Sequence, residues 1–402
     1  MKVGIIGGGA AGFFTAINLA EKNPHASVTI LEKSNKLLAK VKVSGGGRCN
    51  VTNGRTKPSE LTPFYPRGGK KLYKPFQEFG PGQMRSWLQT HGVSTKIEAD
   101  QRAFPVTDDS QTIIDCFLQQ ARRFNIQIVK GFGVRKIQQQ QDTWLVSGAD
   151  QSLEFEKLVV CAGASEQCWQ VLETLGLETT ARVPSLFTFN IADPRIRALP
   201  GRSFPRTTIK VAGTKLVESG PLLITHWGVS GPAVLKLSSR GAEPLHERSY
   251  QFEVIINLID QRPADFQAWL KQQQSLHGDR QISNLKLEGC PGQYFRNLLA
   301  LADIPENKKM SVLSKKELNK LTEELTQARF EVKGKSTFKE EFVTAGGVHL
   351  SEIDLSTMEA KRFPGLYLAG EVLNIDALTG GFNFQACWTG GWLISEHLSS
   401  TG

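Results

Sequence analysis

The stretch VSGGGRCN at residues 43–50 combines three successive glycines with a cation, a thiol and a carboxamide. Holding glycines in one conformation costs more backbone entropy than holding other residues, so we expect this triplet to allow the close approach of a bound ligand. Arg48 next to Cys49 would lower the pKa of the thiol and favour the reactive thiolate. Cys49 is therefore a candidate general acid or reactive thiolate. The alternative is a small buried side chain that only fills space.

The N-terminal sequence KVGIIGGGAAGFFTAINLAEK is typical of a buried strand, a glycine turn and a helix. Gly7, Gly9 and Gly12 have the spacing G-x-G-x-x-G, and Glu32 ends the next predicted strand twenty residues after the last glycine. In a dinucleotide-binding βαβ unit these glycines permit the tight turn, the approach of the pyrophosphate and the close packing of helix on strand. The acid accepts hydrogen bonds from the ribose hydroxyls. The pattern predicts a dinucleotide site, and a purely structural glycine turn is the alternative.

A second candidate acid or base is His226, which lies in the turn-like sequence THWGVSGP. Histidine titrates near neutral pH and can exchange a proton with a substrate. The alternative is a structural role in the turn.

The composition is that of an ordinary globular protein, with 402 residues of which 40% are hydrophobic and 22% charged. This length suggests two or three domains. Because no run of about 18 apolar residues occurs and the sequence enters a strand at once, we expect neither a membrane span nor a signal peptide. The six cysteines are scattered without a C-x-x-C pair or a zinc-like spacing. This pattern predicts reduced thiols in a cytoplasmic protein that has no metal site.

The elements that must position these residues change in character along the chain. Strands and helices alternate up to about residue 185, short strands separated by turns follow, and residues 261–329 are typical of helices. The sequence closes with a strand, a loop that contains Gly380 and Gly381, and a final helix. Glycine-bearing strand–loop–helix corners at the two ends predict one discontinuous α/β domain with an insertion.

Positive charge is concentrated in two regions of a chain whose formal net charge is +9. Residues 33–75 contain eleven Lys and Arg and a single acid, and residues 186–340 contain 23 basic and 16 acidic residues. The excess of positive charge in residues 33–75 is larger than the binding of a dinucleotide cofactor requires. Such segregation suggests a polyanionic partner, for which RNA is the candidate, and a solvated basic face is the alternative.

Five motifs distributed over almost the whole chain point to one family. They are GGGAAG at 7–12, SGGGRCNVTN at 44–53, GPLLITHWGVSGPAVLKLSS at 220–239, VTAGGV at 343–348 and TMEAKRFPGLYLAGEVLNIDALTGGFNFQACWTGG at 357–391. The second, third and last are rare strings. With these motifs the chain resembles the BaiN/RdsA-type family of FAD-dependent oxidoreductases, also described as aminoacetone-oxidase-like.

The resemblance implies an α/β fold with three parts. These are a Rossmann-like two-dinucleotide-binding FAD domain (1–185 and 341–402), a β-barrel-like insert (186–260 and 330–340) and a small helical bundle (261–329). FAD would be bound tightly but not covalently, and NAD(P)H would reduce it from a transient site, since no second nucleotide fingerprint is found. The residues that the resemblance places at FAD are Gly7, Gly9, Ala10, Ala11, Gly12, Glu32, Lys33, Gly45, Gly46, Gly47, Arg48, Cys49, Asn50, Val134, Ala162, Gly163, Gly370, Glu371, Gly380, Gly381, Phe382 and Asn383.

Some of these residues have expected roles, and the chain also departs from the family. Arg48 would neutralise phosphate or flavin charge, and Asn50 would hydrogen-bond the flavin edge. The paired glycines at 380–381 would direct the positive end of the last helix at the flavin. The departures are CAGASEQCW at 161–169, which lacks a second glycine, ADQRAFPVTDD at 99–109, where DGRVFP is more usual, and Asn374, which stands where many members carry Asp.

Three functions are compatible with this sequence. The first is the reduction of a uracil base in ribosomal RNA to dihydrouridine, which requires a hydride, a proton donor and a surface for the phosphate backbone. The second is the oxidation or reduction of a small metabolite such as an enone, a steroid-like molecule or an amine. The third is a flavin-containing binding or redox-sensing module without catalytic activity.

Overall fold

In the computed structural model, which describes residues 1–336 and 343–401, the chain forms two compact units. One unit comprises residues 1–183 and 339–402, and the other comprises residues 184–338. Each unit is organised around a hydrophobic core of its own.

Strands and helices are numbered here in chain order. The strands are β1 (Lys2–Ile6), β2 (Ser27–Glu32), β3 (Thr52–Asn53), β4 (Thr95–Ile97), β5 (Arg102–Pro105), β6 (Gln127–Lys130), β7 (Lys136–Gln140), β8 (Thr143–Ser147), β9 (Ser152–Phe155), β10 (Lys157–Val160), β11 (Thr179–Ser185), β12 (Thr188–Asn190), β13 (Ser203–Val211), β14 (Val217–Ile224), β15 (Gly228–Ser230), β16 (Gln251–Asn257), β17 (Ala328–Lys333), β18 (Lys335–Ser336), β19 (Val343–Val348), β20 (Ile353–Asp354), β21 (Glu359–Ala360) and β22 (Leu366–Leu368). The helices are α1 (Ala10–Lys22), α2 (Ala39–Val43), α3 (Pro58–Leu61), α4 (Tyr73–Glu78), α5 (Pro81–Thr90), α6 (Ser110–Arg123), α7 (Glu166–Leu175), α8 (Pro232–Arg240), α9 (Ala242–Glu247), α10 (Pro263–Leu276), α11 (Gly292–Leu301), α12 (Lys315–Thr326) and α13 (Phe382–Ser400). Short 3₁₀ turns occur at Ser44–Gly47, Thr62–Phe64, Gly69–Leu72, Ile282–Asn284 and Met310–Val312.

The first unit is built on a sheet with the strand order β20-β21-β22-β10-β1-β2-β6. The five strands from β22 to β6 run parallel, and Ile5 of β1 lies opposite Ile30 of β2 and Val159 of β10. Apolar residues are continuous in β1, and all but its first residue are buried, as expected for a strand covered on both faces. The predicted α/β fold with a Rossmann-type domain is confirmed.

Helices from the two ends of the chain pack against each other on this sheet. Every residue of α1 from Ala11 to Ala20 is buried, so this helix is enclosed on all sides. The ring of Phe14 lies with its centroid 5.3 Å from that of Trp388, which is fully buried in α13. A Cβ atom built on Gly391 of α13 would come 2.8 Å from the hydroxyl oxygen of Thr15, so the helices approach closely at this glycine.

The first unit also contains two small antiparallel sheets of three strands each, with the strand orders β7-β8-β9 and β3-β5-β4, and β19 pairs with β11 in a further two-stranded sheet. In the sheet of β3, β5 and β4, Thr52 lies opposite Ala103. This pairing fixes the chain directly after the glycine triplet.

The second unit contains a seven-stranded sheet with the order β17-β16-β13-β14-β15-β12-β18. Its two edge strands, β17 and β18, are separated in the chain only by Gly334, whose carbonyl accepts a hydrogen bond from the amide of Asn190 (3.0 Å). The sheet therefore curls back on itself. Leu270, Leu298 and Leu321 of the helices that follow belong to the same hydrophobic core as the sheet. The three-part division of the chain stays a prediction, and its boundary at residue 340 lies outside the described residues.

A buried ion pair ties the basic segment to the C-terminal part of the first unit. Arg67 donates to both carboxylate oxygens of Asp376, with a distance of 2.5 Å from Nη2 to Oδ2. The side chain of Asp376 is fully buried, and that of Arg67 is 12% exposed. This pair is a part of the folded structure that local sequence patterns do not indicate.

We predict that Arg67→Met lowers the free energy of unfolding by about 3–5 kcal/mol, because it leaves a buried carboxylate without its cation. Urea unfolding of the cofactor-saturated protein, followed by circular dichroism, measures this loss. Lys309→Met is the control, because the pair of Lys309 with Asp279 is exposed and should change stability by no more than about 1 kcal/mol. Equal effects of the two changes would contradict the prediction.

Candidate dinucleotide-binding site

The N-terminal glycine turn connects β1 to α1. Gly7 has a φ of +110°, and a Cβ atom built there would overlap the carbonyl oxygen of Cys161, just after β10. A Cβ atom on Gly12 would overlap the carbonyl oxygen of Gly7. Gly7 is thus required by its conformation and by the neighbouring strand, and Gly12 by the close approach of the helix to the turn.

Gly9 differs from these two glycines because open space lies beside it. It is the N-cap of α1, and a Cβ atom built there would meet no atom of the described residues within 4 Å. Ala10 and Ala11 open the helix, where the first backbone N–H groups lack partners within the helix and form the positive end of its dipole. The space at Gly9 is therefore suited to the approach of a phosphate.

Glu32 lies at the end of β2, next to this turn. Its carboxylate accepts hydrogen bonds from the backbone amides of Gly8 (2.7 Å) and Ser34 (2.8 Å). Lys33 follows with an exposed side chain, and Val134 is buried in the loop after β6, the strand that pairs with β2. The carboxylate is thus held at the glycine turn, and its contact with a ribose stays a prediction.

The glycine triplet forms the 3₁₀ turn Ser44–Gly47, and all three glycines have positive φ. A Cβ atom built on Gly45 would lie 2.8 Å from the backbone nitrogen of Asn50. A Cβ atom on Gly46 or on Gly47 would meet no described atom within 4 Å. One glycine is therefore needed for packing, whereas the other two border open space.

The environment of Arg48 differs from the one expected. Its guanidinium donates from Nη1 to Glu98 (2.7 Å) and to Asp108 (3.3 Å), and its carbon atom Cζ lies 3.9 Å from the centroid of the Phe104 ring. Two carboxylates already balance this cation. The neutralisation of a cofactor charge by Arg48 therefore stays a prediction that these contacts do not favour.

The prediction that Arg48 lowers the pKa of the Cys49 thiol is wrong, because the pKa is raised. Cys49 is 0% exposed, and burial raises the pKa of its thiol to about 12. Arg48 does not offset this effect because its charge is directed at Glu98 and Asp108. A thiol without accessible surface cannot touch a ligand, so the geometry favours the alternative in which Cys49 fills space.

The strand ends β10 and β22 contribute the next part of the site. Gly163, with a φ of +58°, follows Ala162 after β10, and a Cβ atom there would lie 3.8 Å from Glu371 Oε2. Glu371 pairs with Lys40 and accepts a hydrogen bond from the amide of Thr344 (2.9 Å). A Cβ atom on Gly370 would lie 3.3 Å from that of Ala11 at the start of α1. The two glycine-bearing corners thus meet.

Gly381 is the N-cap of α13, with a φ of +81°, and a Cβ atom there would overlap the carbonyl oxygen of Thr52. The side chain of Asn50 reinforces this contact. Its Nδ2 donates to the carbonyl of Thr52 (3.0 Å), and its Oδ1 accepts from the amide of Gly381 (2.9 Å). Asn50 is therefore used to join the triplet segment to the last helix, and its predicted contact with a flavin edge is untested.

Phe382 and Asn383 at the start of α13 make contacts within the protein. Phe382 is 1% exposed, and its ring is stacked on Phe64 at a centroid distance of 4.4 Å. The amide side chain of Asn383 donates to the carbonyl of Ala377 (3.0 Å) and accepts from its backbone amide (2.9 Å). Gly380 precedes them with a φ of +137°. The side chain of Phe382 thus belongs to the core, which leaves backbone groups as the ligand-facing part of this corner.

The first unit therefore brings together the N-terminal turn, the triplet and the C-terminal corner. His226 belongs to the second unit, where its side chain is exposed in the turn between β14 and β15. Sequence reasoning missed Lys40 and the pair of Arg67 with Asp376 as parts of this frame. Their partners lie more than 300 residues away in the chain, so no local spacing could have indicated them.

The described residues fit a bound dinucleotide. Open space borders the backbone at Gly9, Gly46 and Gly47, because a Cβ atom built on any of these glycines would meet no described atom within 4 Å. The side-chain oxygen of Asn374 is buried without a hydrogen-bond partner in the part of the chain that the structure describes, in the loop between β22 and α13. An elongated ligand with phosphates and hydroxyl groups matches this combination of free backbone and unpaired acceptor.

Fold and glycine turns define a Rossmann-type nucleotide-binding protein. The chain belongs to the HI0933-like protein family, whose Rossmann-domain model matches residues 1–397. The predicted family resemblance is thereby confirmed, and the protein is a flavin-dependent oxidoreductase with FAD as its cofactor.

The chain is also similar to individual known proteins. It is 27% identical over 405 residues to the ribosomal RNA dihydrouridine synthase of Escherichia coli (strain K12), covering 98% of this chain and 97% of that protein. It is 25% identical over 421 residues to the 3-dehydro-bile acid delta(4,6)-reductase of Clostridium scindens, covering 98% of each. The solved structure of the 3-ketosteroid-delta4-(5alpha)-dehydrogenase of Rhodococcus jostii RHA1 in complex with 4-androstene-3,17-dione shares the fold. It gives a TM-score of 0.53 at 13% identity over 99% of this chain and 96% of that one.

Two kinds of feature are absent from the residues that the structure describes. No helix among them has the length and apolar character needed to cross a membrane. No group of three or more His, Cys, Asp or Glu side chains among them could hold a metal ion.

We predict that Gly9→Leu yields a folded protein that retains little FAD, because the new side chain would occupy the open space at the helix N-terminus. The absorbance of the purified protein and the release of FAD on denaturation measure the occupancy. Gly292→Leu is the matched control, since a Cβ atom there also meets no described atom within 4 Å but lies in the second unit. Full FAD occupancy in Gly9→Leu would show that the phosphate turn is misassigned.

Proposed function

We propose that this enzyme reduces a carbon–carbon double bond conjugated to a carbonyl group, that NAD(P)H is the reductant, and that the substrate is a uracil base in RNA. The net reaction consumes one NAD(P)H and one proton and saturates the bond between C5 and C6 of the uracil ring. Bound FAD supplies the hydride chemistry, and the protein supplies binding, orientation and the proton.

The names of two relatives support the reaction class. One is a ribosomal RNA dihydrouridine synthase, and the other is a delta(4,6)-reductase of a 3-dehydro-bile acid. The double bond of uracil and that of an enone are both conjugated to a carbonyl, so both reductions add a hydride and a proton across a similar group. The same site chemistry would therefore serve either substrate.

The residues that would hold FAD belong to the first unit. The turn at Gly7 and Gly9 would bind the pyrophosphate, Glu32 would bind the ribose hydroxyls, and the free backbone at Gly46 and Gly47 would border the cofactor. The N-terminus of α13, a helix of 19 residues, would present its positive end to the anionic part of the ligand.

The proton donor is the remaining requirement of the reaction. Cys49 carries a protonated thiol, but this thiol has no accessible surface. His226 has an exposed side chain, and histidine is the side chain that most often acts as a general acid or base. We therefore assign a packing role to Cys49, and His226 stays the candidate proton donor that the sequence suggests.

We predict that His226→Gln lowers kcat for substrate reduction by about 100-fold or more, the usual contribution of general acid catalysis. Reduction of the bound cofactor by NADPH should stay unchanged, because that step does not use this proton. Cys49→Ala is the comparison, and it should retain both rates within a few-fold. Stopped-flow absorbance separates the two steps, and an effect of Cys49→Ala alone on substrate reduction would reverse the assignment.

The distribution of unpaired lysines is the observation that favours RNA as the substrate. Lys57, Lys70, Lys71 and Lys74 are exposed, and none of the four makes an ion pair among the residues that the structure describes. Tyr73, between the last two, is 43% exposed. Free cations beside an exposed aromatic ring are typical of surfaces that bind a phosphate backbone and a base.

We predict that changing Lys70, Lys71 and Lys74 to Ala weakens the binding of ribosomal RNA fragments and reduces the slope of log affinity against log salt by about three units. Filter binding between low and moderate salt measures both, and FAD content should stay unchanged. The control with equal loss of charge changes Lys271, Lys315 and Lys316, which are exposed on α10 and α12.

A second candidate function is favoured by the bile-acid reductase relative, which matches 98% of the chain. In that case the substrate is a steroid-like enone and the lysines are a solvated surface. RNA binding that is weak at every salt concentration, together with rapid oxidation of the reduced enzyme by a steroid enone, would establish this second function.

A further inference from the structure

The turn between β14 and β15 carries an exposed aromatic side chain. Trp227 is 60% exposed, an unusual degree for the largest apolar side chain, and Leu223 in the adjoining strand is 38% exposed. Tryptophan is enriched at interfaces, where a partner covers the ring.

The backbone of this turn is held by several hydrogen bonds. The hydroxyl of Thr225 accepts from the amides of Trp227 (3.3 Å) and Gly228 (3.2 Å). The carbonyl of Trp227 accepts from the amide of Ile191 (2.9 Å). The indole therefore projects from a fixed backbone, so that binding to it would cost little ordering of the chain.

A basic loop begins and ends at this turn. Residues 192–201 leave the sheet after Ile191 and return where the amide of Gly201 donates to the carbonyl of Ile224 (2.9 Å). Arg197 and Arg202 are exposed and make no ion pair among the described residues. They therefore add unbalanced positive charge to the loop whose two ends are hydrogen-bonded to the turn and strand beside Trp227.

A buried arginine, Arg195, neutralises the acid of the same loop and fixes the conformation of the loop. Arg195 pairs with Asp193 (2.8 Å) and with Glu324 (2.5 Å), and its guanidinium lies 3.9 Å from the centroid of the Phe330 ring. Asp193 is the only acid in residues 191–202, so the exposed charge of this loop is positive.

We propose that this tip, formed by Trp227, Leu223, Arg197 and Arg202, binds a single-stranded segment of nucleic acid. A base stacks on the indole, and the two guanidiniums bind the phosphates on either side. Charge selects this occupant, because a second copy of the chain or a neutral apolar partner would leave two unpaired guanidiniums at the interface. The inference rests on the proposed function, in which the substrate base belongs to an RNA strand.

The test uses the FAD-saturated full chain and three probes of about 12 nucleotides, namely a single-stranded oligouridine, an abasic strand of equal charge and an RNA duplex. Trp227→Ala should weaken binding of the oligouridine by about tenfold, whereas Trp227→Phe should retain most of it, because a phenyl ring still stacks. Neither change should alter binding of the abasic strand. Leu276→Ala, a change at an exposed apolar side chain of α10, is the matched control (63% exposed).

The arginines are tested separately by the salt dependence. Arg197→Gln and Arg202→Gln should each reduce the slope of log affinity against log salt by about one unit, for the oligouridine and the abasic strand alike. FAD content and circular dichroism confirm that each variant is folded.

Several outcomes would overturn the inference. They are unchanged oligouridine binding in Trp227→Ala, preference for the duplex, and a Trp227-dependent dimer or vesicle binding without affinity for the single strand. The same measurements distinguish a failure of this inference from a failure of the proposed function. If oligouridine binds through Trp227 but no uracil is reduced, the inference stands and the reaction is wrong. If RNA uracil is reduced equally by wild type and Trp227→Ala, the reaction stands and the inference is wrong.

Discussion

The first unit depends on contacts between backbones that leave no room for a side chain. Gly12 lies against the carbonyl of Gly7, Gly7 against that of Cys161, and Gly381 against that of Thr52. Each contact joins two segments that are far apart in the sequence or that form a sharp turn. Together these contacts hold the N-termini of α1 and α13 in the same unit. The ion pairs of Lys40 with Glu371 and of Arg67 with Asp376 add further links between the N-terminal and C-terminal parts of this unit.

The positive charges of the basic segment between residues 33 and 75 fall into two groups, one paired with carboxylates and one exposed to solvent. Arg48, Arg67 and Lys40 are paired with carboxylates and contribute to folding. The lysines from 57 to 74 are exposed without such partners and contribute to the electric field at the surface. A count of charges along the sequence cannot separate these groups, because the balancing acids come from residues 98, 108, 371 and 376.

Local patterns were sufficient to predict the α/β fold, the glycine turn and the position of Glu32, because these features are encoded within about thirty consecutive residues. The pKa of Cys49 could not be predicted in the same way. The sequence places a cation next to the thiol, but Glu98 and Asp108 take up that cation and the surrounding core buries the thiol. The roles expected for Asn50 and Phe382 likewise depend on partners, Gly381 and Phe64, that only the folded chain brings close.

The discontinuity of the first unit also sets an order of events during synthesis. Helix α1 is buried over ten consecutive residues, partly against α13, yet α13 follows the entire second unit in the chain. At about 5–20 residues per second, a ribosome needs on the order of twenty to seventy seconds to make the residues between α1 and α13. The second unit is continuous and can fold in this interval, while the apolar face of α1 stays uncovered. The nascent chain is therefore most exposed to aggregation and to chaperones just before β22 and α13 emerge.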